Sequence, residues 1–545
     1  MANKNIRALS LRKGLDDNLF ENISELSKLA ATEDEFHKLS KRFIIDDSVV
    51  FGTSTFYDFL RPENIDKKIH VCNGTACMVS NTQGVLIDNI QNHFNPNEIG
   101  HAACVGRCHT NSAFMYRDKT YSGNTESELN KIFSSSNKDY EQENKYTIGT
   151  NSIPILTSKI DNLEKFYALA EQFSDRPKQI IQELKISNLR GRGGAGFPFW
   201  LKLDAVIKEE NKQKYIVCNA DEGDPGAYSD MYLMEHQPHK VLFGMYVAGK
   251  CVGANTGVLY IRGEYPDSIK IVNTAIEELQ KKELIKGFKF KIIRGQGSYV
   301  CGEETALLNS IEGLRPEVRV RPPYPAEYGL YGKPTVLSNV ETFANINWIL
   351  ENGGKAYEKL GTKNSTGTKL VSLDSFFNQP GVYEIEMGTP IMKIFEDFGK
   401  GFKSEVKALQ IGGPLGGIIP MHKISELTLD FESLNENGFL LGHASFVSIP
   451  IDFPMVKFIE HLMKFTADES CGKCYPCRIG AHRGFEMLQK AQNEDYKIDR
   501  QLFDDLMETL EIGSLCALGG GVPLPIKNAL QYFDDELKEY FINRN

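Results

Sequence analysis

Residues 469–477 read ESCGKCYPC, a stretch in which three cysteines are separated by two residues each. A fourth cysteine follows in GSLCALGGG, residues 513–521. Three thiolates at this spacing suit one side of an iron–sulfur cubane, and a remote fourth completes its ligand set. Structural zinc prefers paired C-x2-C knuckles, so it is the weaker alternative. We therefore predict a [4Fe–4S] cluster on Cys471, Cys474, Cys477 and Cys516.

A second group of four cysteines lies nearer the N-terminus, with the spacing C-x4-C, a long interval and C-x3-C. This pattern suits a [2Fe–2S] cluster in which each close pair binds one iron, although zinc is a stronger alternative here on spacing alone. The predicted ligands are Cys72, Cys77, Cys104 and Cys108. The other three of the eleven cysteines are predicted to be small buried side chains that bind nothing: Cys218, Cys251 and Cys301.

The composition is that of a soluble multidomain protein, with 545 residues, 41% of them hydrophobic and 25% charged. No apolar run approaches the roughly 18–20 residues of a membrane span, and the N-terminal segment lacks the apolar core of a secretory signal. We therefore expect a cytoplasmic protein without a membrane span, in which disulfides are rare. A net charge of −10 argues against a nucleic-acid partner.

Hydrophobic periodicity divides the chain into helical, α/β and β-rich segments, which predicts a multidomain α/β and α+β fold. Strands are expected at KKIHVC, AFMYRDKTY, YIVC and GVLYIRGE, and a helix over residues 266–285. The predicted units are a helical segment at 1–62, a cysteine-containing domain at 63–140, a linker at 141–150, an α/β domain at 151–360, a small β-rich domain at 361–450 and a helical domain at 451–545.

The glycine-rich loop RGRGGAGFPFW, residues 190–200, matches the spacing G-x-G-x-x-G. The preceding residues, KQIIQELKIS, predict a helix, whereas a Rossmann fingerprint requires a strand at that position. Closely spaced glycines nevertheless allow backbone N–H groups to approach an anion or a flat ring. A flexible surface loop is the alternative interpretation.

An acidic segment, CNADEGDPG at residues 218–226, directly follows a predicted strand. The carboxyl ends of parallel strands are where α/β proteins bind ligands. Carboxylates there suit ribose hydroxyls and repel a 2′-phosphate, which favours NAD over NADP, although a solvated acidic turn is the alternative. A further loop, GQGSYVCGEETALLNS, places Tyr299, Gly302, Glu303 and Glu304 before a predicted helix.

Six motifs occur in one order: GRGGAGF, CNADEGDPG, YVCGEETALLNSIEG, GKPTVLSNVET, ESCGKCYPC and SLCALGG. From about residue 150 onward, the chain resembles the flavin- and NADH-binding subunit of respiratory complex I and its relatives. These include the diaphorase subunits of NAD-reducing hydrogenases, formate dehydrogenases and electron-bifurcating enzymes. The first 140 residues, through STFYDFL, HVCNGTAC and the C-x3-C pair, resemble the partner subunit with a thioredoxin-like [2Fe–2S] domain. The chain thus resembles a fusion of both subunits.

The resemblance implies an FMN-binding α/β domain, a small β-grasp (SLBB-like) domain and a helical [4Fe–4S] bundle. Glu222 and Glu303 are the candidate catalytic side chains. The implied FMN contacts are Gly191, Gly193, Gly194, Lys202, Asn219, Asp221, Glu222, Gly302, Glu303, Ser338 and Asn339. The implied NAD(H) contacts are Phe197, Asp224, Tyr299, Glu304, Arg321 and Tyr324. Cys218 and Cys301 are expected to pack behind the flavin.

The implied reaction is hydride exchange between NAD(H) and FMN, with single electrons passing through the clusters to or from a partner. A hydrogenase or formate dehydrogenase subunit with further clusters is the expected partner. The alternatives are an electron-bifurcating subunit coupled to ferredoxin, and a cluster-bearing adaptor without flavin. Four departures from the family place individual contacts in question: Met231 where arginine is usual, Ser338 where asparagine is frequent, Phe199–Trp200 after the glycine loop, and a shorter interval between the first cysteine pairs.

Overall fold

The computed structural model describes residues 14–29, 31–134, 140 and 142–543. Its strands, numbered along the chain, are β1 (Ile69–Cys72), β2 (Ile99–Ala102), β3 (Ala113–Tyr116), β4 (Lys119–Ser122), β5 (Thr147–Thr150), β6 (Tyr215–Ala220), β7 (Thr256–Ile261), β8 (Lys289–Arg294), β9 (Thr335–Asn339), β10 (Thr368–Leu373), β11 (Gly381–Glu386), β12 (Val406–Ile411), β13 (Ile418–Pro420), β14 (Ser445–Pro450), β15 (Ile498–Asp499) and β16 (Phe541–Ile542). They form three main sheets and one short pair.

The N-terminal segment is helical, as predicted, but its long periodic stretch divides into separate helices. Thr32 begins a new helix because its side chain and that of Glu35 form a capping box, which satisfies free backbone N–H groups. This segment packs on the middle of the chain, where Asn18 Nδ2 donates to the Ile311 carbonyl at 2.7 Å. The part of this prediction at residues 1–13 lies outside the described residues. The helices are Leu19–Lys28, Glu33–Phe43 and Asp47–Ser54.

The first cysteine group lies in a four-stranded sheet with the order β2-β1-β3-β4. The prediction of one strand over AFMYRDKTY is wrong, because Arg117 and Asp118 adopt positive φ (51° and 57°) and reverse the chain between β3 and β4. A two-residue turn of this kind matches the twist of an antiparallel hairpin. The helices here are Thr75–Val79, Gln83–Ile90 and Glu126–Phe133.

The middle of the chain is a parallel sheet with the order β8-β7-β6-β9, which confirms the α/β prediction. Strands β6 and β9 are neighbours, so their carboxyl ends lie together at one edge. The predicted helix at 266–285 ends at Lys281. The helices of this unit are Leu163–Gln172, Pro177–Ser187, Phe199–Lys208, Ser229–His236, Pro238–Val252, Pro266–Lys281, Glu304–Ile311, Pro325–Tyr328, Val340–Ala344, Ile346–Asn352 and Gly354–Glu358.

The β-rich region is a six-stranded mixed sheet with the order β13-β12-β14-β10-β11-β5. Its edge strand, β5, comes from the segment expected to be a linker and pairs in parallel with β11. Gly149 allows this pairing, since a Cβ there would lie 3.2 Å from the Tyr383 ring. Residues 147–150 therefore belong to the sheet and are not a linker. The helices beside it are Ile391–Asp397 and Phe431–Glu436.

The C-terminal region is helical, as predicted, and β15 and β16 form a short parallel pair across it. One hydrophobic core joins it to the parallel sheet and the six-stranded sheet, so these units hold each other in fixed positions. Within the part of the chain that the structure describes, no helix is long and apolar enough to cross a membrane. The helices are Met455–Asp468, a π-helix at Pro476–Ala481, His482–Asn493, Arg500–Gly513, Ala517–Gly521, Pro523–Tyr532 and Asp534–Leu537.

Candidate flavin, nucleotide and iron–sulfur sites

The carboxyl edge of the parallel sheet brings three of the predicted loops together. Asn219 and Asn339 are cross-strand partners at the ends of β6 and β9. The Asn219 amide donates to the Gly302 carbonyl at 2.7 Å and accepts from the Asp221 N–H at 3.1 Å. Ser338 is buried in β9, in register with Cys218. The predicted flavin contacts on these loops therefore share one edge of the sheet.

The glycine-rich loop lies against this edge and is fixed by packing and hydrogen bonds. A Cβ at Gly193 would lie 2.9 Å from the Asn339 Cβ, so only glycine fits without displacement. The Gly191 N–H donates to the Phe197 carbonyl at 2.8 Å and closes the loop. Arg192 is fully buried and donates to the Tyr357 hydroxyl at 2.9 Å. These contacts contradict the alternative of a flexible surface loop. As predicted, the helix Pro177–Ser187 precedes it.

The acidic segment offers a hydrogen-bond acceptor toward this space. Asp221 Oδ2 is buried and has no hydrogen-bond partner among the described residues. Burial raises the pKa of the Asp221 carboxyl well above its usual range. A ligand with a hydrogen-bond donor, such as a flavin side chain or ring N–H, would satisfy this oxygen. The residues present therefore fit FMN.

Each of the two candidate catalytic carboxylates accepts hydrogen bonds from the first turn of a helix. Glu303 caps the helix Glu304–Ile311 by accepting the Thr305 and Ala306 N–H groups, each at 2.9 Å. Glu222 is buried and accepts the Asp230 and Met231 N–H groups at 2.9 and 3.0 Å. Burial, followed by the charge of Asp230, raises the pKa of Glu222 to about 7. Both carboxylates are thus fixed at the sheet edge.

Two polar groupings join most of the predicted NAD(H) contacts. The Tyr299 hydroxyl donates to Asp224 at 2.7 Å. Glu304 accepts from Lys202 at 3.2 Å and from Arg321 at 2.8 Å, which brings a predicted flavin contact next to two predicted nucleotide contacts.

Two aromatic side chains predicted to contact NAD(H) face solvent. Phe197 is 48% exposed and Tyr324 is 53% exposed. Exposed rings beside a polar site provide flat apolar surfaces that a nicotinamide or adenine ring can cover.

Met231 occupies the position where arginine was expected. Its side chain is buried, and its sulfur lies 3.9 Å from Asn144 Nδ2. The preceding residue, Asp230, is paired with His443, whose Nε2 lies 3.1 Å from Asp230 Oδ2. Sequence reasoning missed both Asp230 and His443, since a single histidine in a glycine- and leucine-rich loop carries no spacing signal.

The structure brings the four N-terminal cysteines together. Cys104 and Cys108 have their sulfurs 3.7 Å apart, and all four thiols are free and buried. Contact with the thiols of Cys104 and Cys77, followed by burial, raises the pKa of Cys72, which places these side chains together. The Gly226 N–H, from the acidic segment, donates to Cys108 Sγ at 3.2 Å. Backbone N–H groups directed at sulfur are typical of iron–sulfur ligands.

The C-terminal cysteine group belongs to a different hydrophobic cluster from Cys104 and Cys108. Cys471 and Cys477 are buried, whereas Cys474 and Cys516 are partly exposed, and the group packs against Val300 and Cys301. Burial raises the pKa of Cys516 to about 12, with smaller contributions from Glu303, Cys471 and Cys477. Cys218 is likewise buried beneath the sheet edge. The structure therefore gathers the eight predicted ligands into two groups.

Arg262 connects the acidic segment with the N-terminal cysteine group, and sequence reasoning also missed it. Its guanidinium donates to the Glu222 carbonyl and, at 2.5 Å, to the Cys104 carbonyl. It forms a buried ion pair with Glu264 at 2.7 Å. A cavity of about 10 Å³ lies between this pair, Asp221 and Tyr299, with room for about one water molecule.

Three family descriptions match successive parts of the chain. Residues 27–137 match the thioredoxin-like [2Fe-2S] ferredoxin, residues 184–348 the Nuo51 FMN-binding domain, and residues 457–540 the NADH-ubiquinone oxidoreductase-F iron-sulfur binding region. An NADH-quinone oxidoreductase subunit of Rhizobium meliloti is 38% identical over 379 residues, which cover 68% of this chain and 90% of that protein. This chain belongs to the Nuo51 family of NADH-quinone oxidoreductase subunits. The NADP-reducing hydrogenase subunit HndC of Solidesulfovibrio fructosivorans is 38% identical over 389 residues, covering 69% of this chain and 79% of that one.

A solved structure extends the likeness to the N-terminal region. A chain of an NAD+-reducing [NiFe]-hydrogenase in the air-oxidized state superposes with a TM-score of 0.86 at 25% identity, covering 97% of this chain and 94% of that chain. The predicted family, fold class and cofactors are thereby confirmed: FMN, one [4Fe–4S] cluster and one [2Fe–2S] cluster. This Nuo51-family chain is an NADH dehydrogenase-type oxidoreductase subunit, and the flavin-free adaptor and the zinc sites are not supported.

Proposed function

We propose that this chain is the diaphorase subunit of an NAD-reducing hydrogenase, and that it exchanges a hydride with NAD(H) and single electrons with a hydrogenase partner. The observation that carries this proposal is the single-chain architecture. The thioredoxin-like unit and the Nuo51-type unit occur in one chain, and a chain of an NAD+-reducing [NiFe]-hydrogenase matches 97% of it. A second relative, HndC, is also named as a hydrogenase subunit. Formate dehydrogenase and ferredoxin remain the alternative partners.

The flavin site is proposed at the edge formed by the glycine-rich loop, the acidic segment and β9. Bound FMN supplies the ability to accept a hydride and to release electrons singly. The chain would provide the surroundings: glycine N–H groups would face the ligand, and Asp221 Oδ2, which has no partner among the described residues, would accept a hydrogen bond. The proposed FMN contacts are those the resemblance implied: Gly191, Gly193, Gly194, Lys202, Asn219, Asp221, Glu222, Gly302, Glu303, Ser338 and Asn339.

The nucleotide site is proposed beside the flavin site, between the exposed rings and the polar groupings. Phe197 and Tyr324 would cover the rings of NAD(H), and the Tyr299–Asp224 hydrogen bond would orient the ribose side. Carboxylates at this position favour NAD(H) over NADP(H) because they repel a 2′-phosphate. Glu222 and Glu303 act through position and charge, since each already accepts two backbone N–H groups.

The electron route is proposed to leave toward the partner through the C-terminal cluster ligands Cys471, Cys474, Cys477 and Cys516. Apolar side chains are exposed around Cys474, with Tyr475 69% exposed and Ile512 76% exposed. Their two segments touch, since a Cβ at Gly513 would lie 2.8 Å from Pro476 Cγ. Exposed apolar clusters of this kind are typical of protein interfaces. A cluster-carrying partner subunit would cover it.

The N-terminal cysteines Cys72, Cys77, Cys104 and Cys108 would hold a [2Fe–2S] cluster that serves as a branch of the electron route, as its exit or as an electron store.

We further propose a cytoplasmic location. The unit limits remain those predicted above, with residues 147–150 assigned to the six-stranded sheet.

The test compares two cysteine variants in the complex that co-purifies with this chain when the chain carries an affinity tag. Cys474→Ala removes a proposed cluster ligand, whereas Cys251→Ala removes a buried thiol that lies in neither cysteine group. We expect Cys474→Ala to abolish H2-dependent NAD+ reduction while NADH still bleaches the flavin absorbance, and Cys251→Ala to retain both. Wild-type complex that reduces NAD+ with formate but not with H2 would contradict the hydrogenase assignment. Loss of flavin bleaching in folded Cys474→Ala protein would contradict the separation of the flavin reaction from electron transfer through the C-terminal cluster.

A further inference from the structure

Two buried carboxylates stand side by side next to the proposed flavin edge. Glu222 and Asp230 are 3% and 1% exposed. Neighbouring buried carboxylates repel each other, so they require either a proton or an opposite charge. Asp230 Oδ1 is also buried and lacks a hydrogen-bond partner among the described residues. A positively charged side chain between the two carboxylates would provide that opposite charge.

The cation comes from the six-stranded sheet region. His443 lies in the loop that follows the helix Phe431–Glu436 and leads into β14. Its Nε2 is 3.1 Å from Asp230 Oδ2, and its Nδ1 is 3.5 Å from Glu222 Oε1 and 3.3 Å from Ser229 Oγ. A neutral imidazole has one N–H and would serve only one side, whereas the imidazolium donates at both nitrogens.

The charge state of His443 follows from its neighbours. Burial lowers the pKa of His443, but the charge and hydrogen bond of Asp230 and the charge of Glu222 outweigh it, and the pKa is raised to about 9. Lys369 opposes the shift. Asp224 and Glu341 also feel the His443 charge. The pKa of Glu222, in turn, is raised to about 7.

Two short connections lead from His443 to the flavin edge. Asp230 Oδ2 also accepts from Asn339 Nδ2 at 2.6 Å, and Asn339 limits the space beside Gly193. Glu222, on the other side, holds the first turn of the helix Ser229–His236 through two backbone N–H groups. One imidazole ring therefore fixes both the acidic segment and the end of β9.

The loop that carries His443 has no room to move away. A Cβ at Gly442 would lie 2.3 Å from the Gly412 carbonyl oxygen, and Gly442 has φ of +51°. Gly442 also packs against Gly194 of the glycine-rich loop, where a Cβ would lie 3.6 Å from the Gly442 Cα. The six-stranded sheet region thus forms one wall of the flavin edge.

We propose that His443 is a positioning residue of the flavin site: as a buried imidazolium between Glu222 and Asp230 it holds both carboxylates in place, so that the six-stranded sheet region completes the site. This inference rests on the proposed function, because it assigns a role at the same FMN site. It does not require His443 to touch the flavin. It also gives the six-stranded sheet region a role in catalysis beyond linking the other units.

The test is FMN affinity in the full-length protein, measured by flavin fluorescence during titration of FMN into deflavinated protein. His443→Gln keeps a hydrogen-bonding side chain but removes the charge. We expect its dissociation constant to rise about tenfold at pH 7.5, which corresponds to about 1.4 kcal/mol. His461→Gln is the matched control, because His461 is a histidine of the helix Met455–Asp468 whose pKa burial lowers to about 4. We expect no change in the control.

The pH profile separates a charge role from simple packing. The pKa of His443 in the folded protein lies above its ordinary value of about 6.5. The stabilisation that its positive charge gives the folded protein is therefore complete below pH 6.5 and is lost as pH rises through about 9. Wild-type FMN affinity should fall across this window, and His443→Gln should lack that step. Asp230→Asn combined with His443→Gln should recover part of the affinity, because one negative charge leaves with the positive one.

The outcomes are distinguishable. Folded His443→Gln protein with intact cluster EPR signals, wild-type FMN affinity and a wild-type pH profile would overturn the role of His443. Wild-type protein that binds no FMN would instead contradict the proposed function itself. If His443→Gln fails to fold, the wild-type pH profile alone decides, and a flat profile from pH 7.5 to 10 would overturn the inference. A stoichiometric divalent ion in wild-type protein that is lost in His443→Gln would also overturn it.

Discussion

Replacing Lys369 with methionine should destabilise the part of the molecule that carries the flavin edge. Lys369 on β10 and Glu341 in the helix Val340–Ala344 are both fully buried and form an ion pair. The lysine also donates to the Leu370 carbonyl at 3.2 Å, and Glu341 accepts the Leu370 N–H at 3.2 Å. Lys369→Met would leave the carboxylate of Glu341 buried without its partner.

The magnitude follows from the burial of both groups. Breaking a buried pair by removing one member costs about 3–5 kcal/mol, since the remaining charge is uncompensated. In a unit of about 150–250 residues, 1 kcal/mol lowers the melting temperature by about 2–4 °C. We therefore expect the transition of this unit, measured by scanning calorimetry, to fall by about 6–20 °C. Lys369→Met combined with Glu341→Gln should recover most of the loss, because the unpaired charge is removed.

The control is an exposed pair of a lysine and a carboxylate. Lys38 and Asp34 are paired on the helix Glu33–Phe43 with both side chains largely exposed, so Lys38→Met should leave the melting temperature nearly unchanged. A decrease below about 2 °C in Lys369→Met, equal to that of Lys38→Met, would refute the reasoning. So would a double variant that is less stable than Lys369→Met alone.

Three further predictions concern the sites themselves. Gly193→Ala should weaken FMN binding by about tenfold, because the new Cβ would lie 2.9 Å from that of Asn339. Gly84→Ala is the control, since a Cβ there would meet open space and should leave the FMN dissociation constant unchanged. Equal dissociation constants in the two variants would count against the proposed flavin edge. Tyr324→Ala should raise the KM for NADH by about two- to tenfold, since stacking contributes about 0.5–1.5 kcal/mol, without lowering the melting temperature; an unchanged KM would remove this ring from the nucleotide site. Cys104→Ala should eliminate the [2Fe–2S] EPR signal and leave FMN and the [4Fe–4S] signal in place; retention of all the signals would contradict its assignment as a ligand.

The two groups of cysteines could be recognised from the sequence because iron–sulfur chemistry imposes spacing on its ligands. Cys471, Cys474 and Cys477 lie close along the chain, so the spacing alone indicated a shared site. The N-terminal group needed the family resemblance, since Cys77 and Cys104 are brought together only by the four-stranded sheet. The order of the strands within each sheet was not predicted, although the alternation of strands and helices correctly indicated a parallel sheet in the middle of the chain.

The misses have physical causes that a single sequence does not display. The two-residue turn at Arg117 and Asp118 lacks glycine, so the hairpin resembled one long strand. Strand β5 adds to a sheet whose other strands lie more than 200 residues later, and such long-range pairing has no local signal. His443 matters only because its loop packs against Glu222 and Asp230, which are more than 200 positions away.

The most direct test of the central claim is an anaerobic titration of the purified full-length chain with NADH, followed by flavin absorbance and cluster EPR. If electrons pass from NADH to FMN and then to both clusters, NADH should bleach a releasable FMN and produce the signals of a reduced [4Fe–4S] and a reduced [2Fe–2S] cluster. A protein that contains both clusters but releases no FMN, or whose FMN is bleached while neither cluster is reduced, would contradict it.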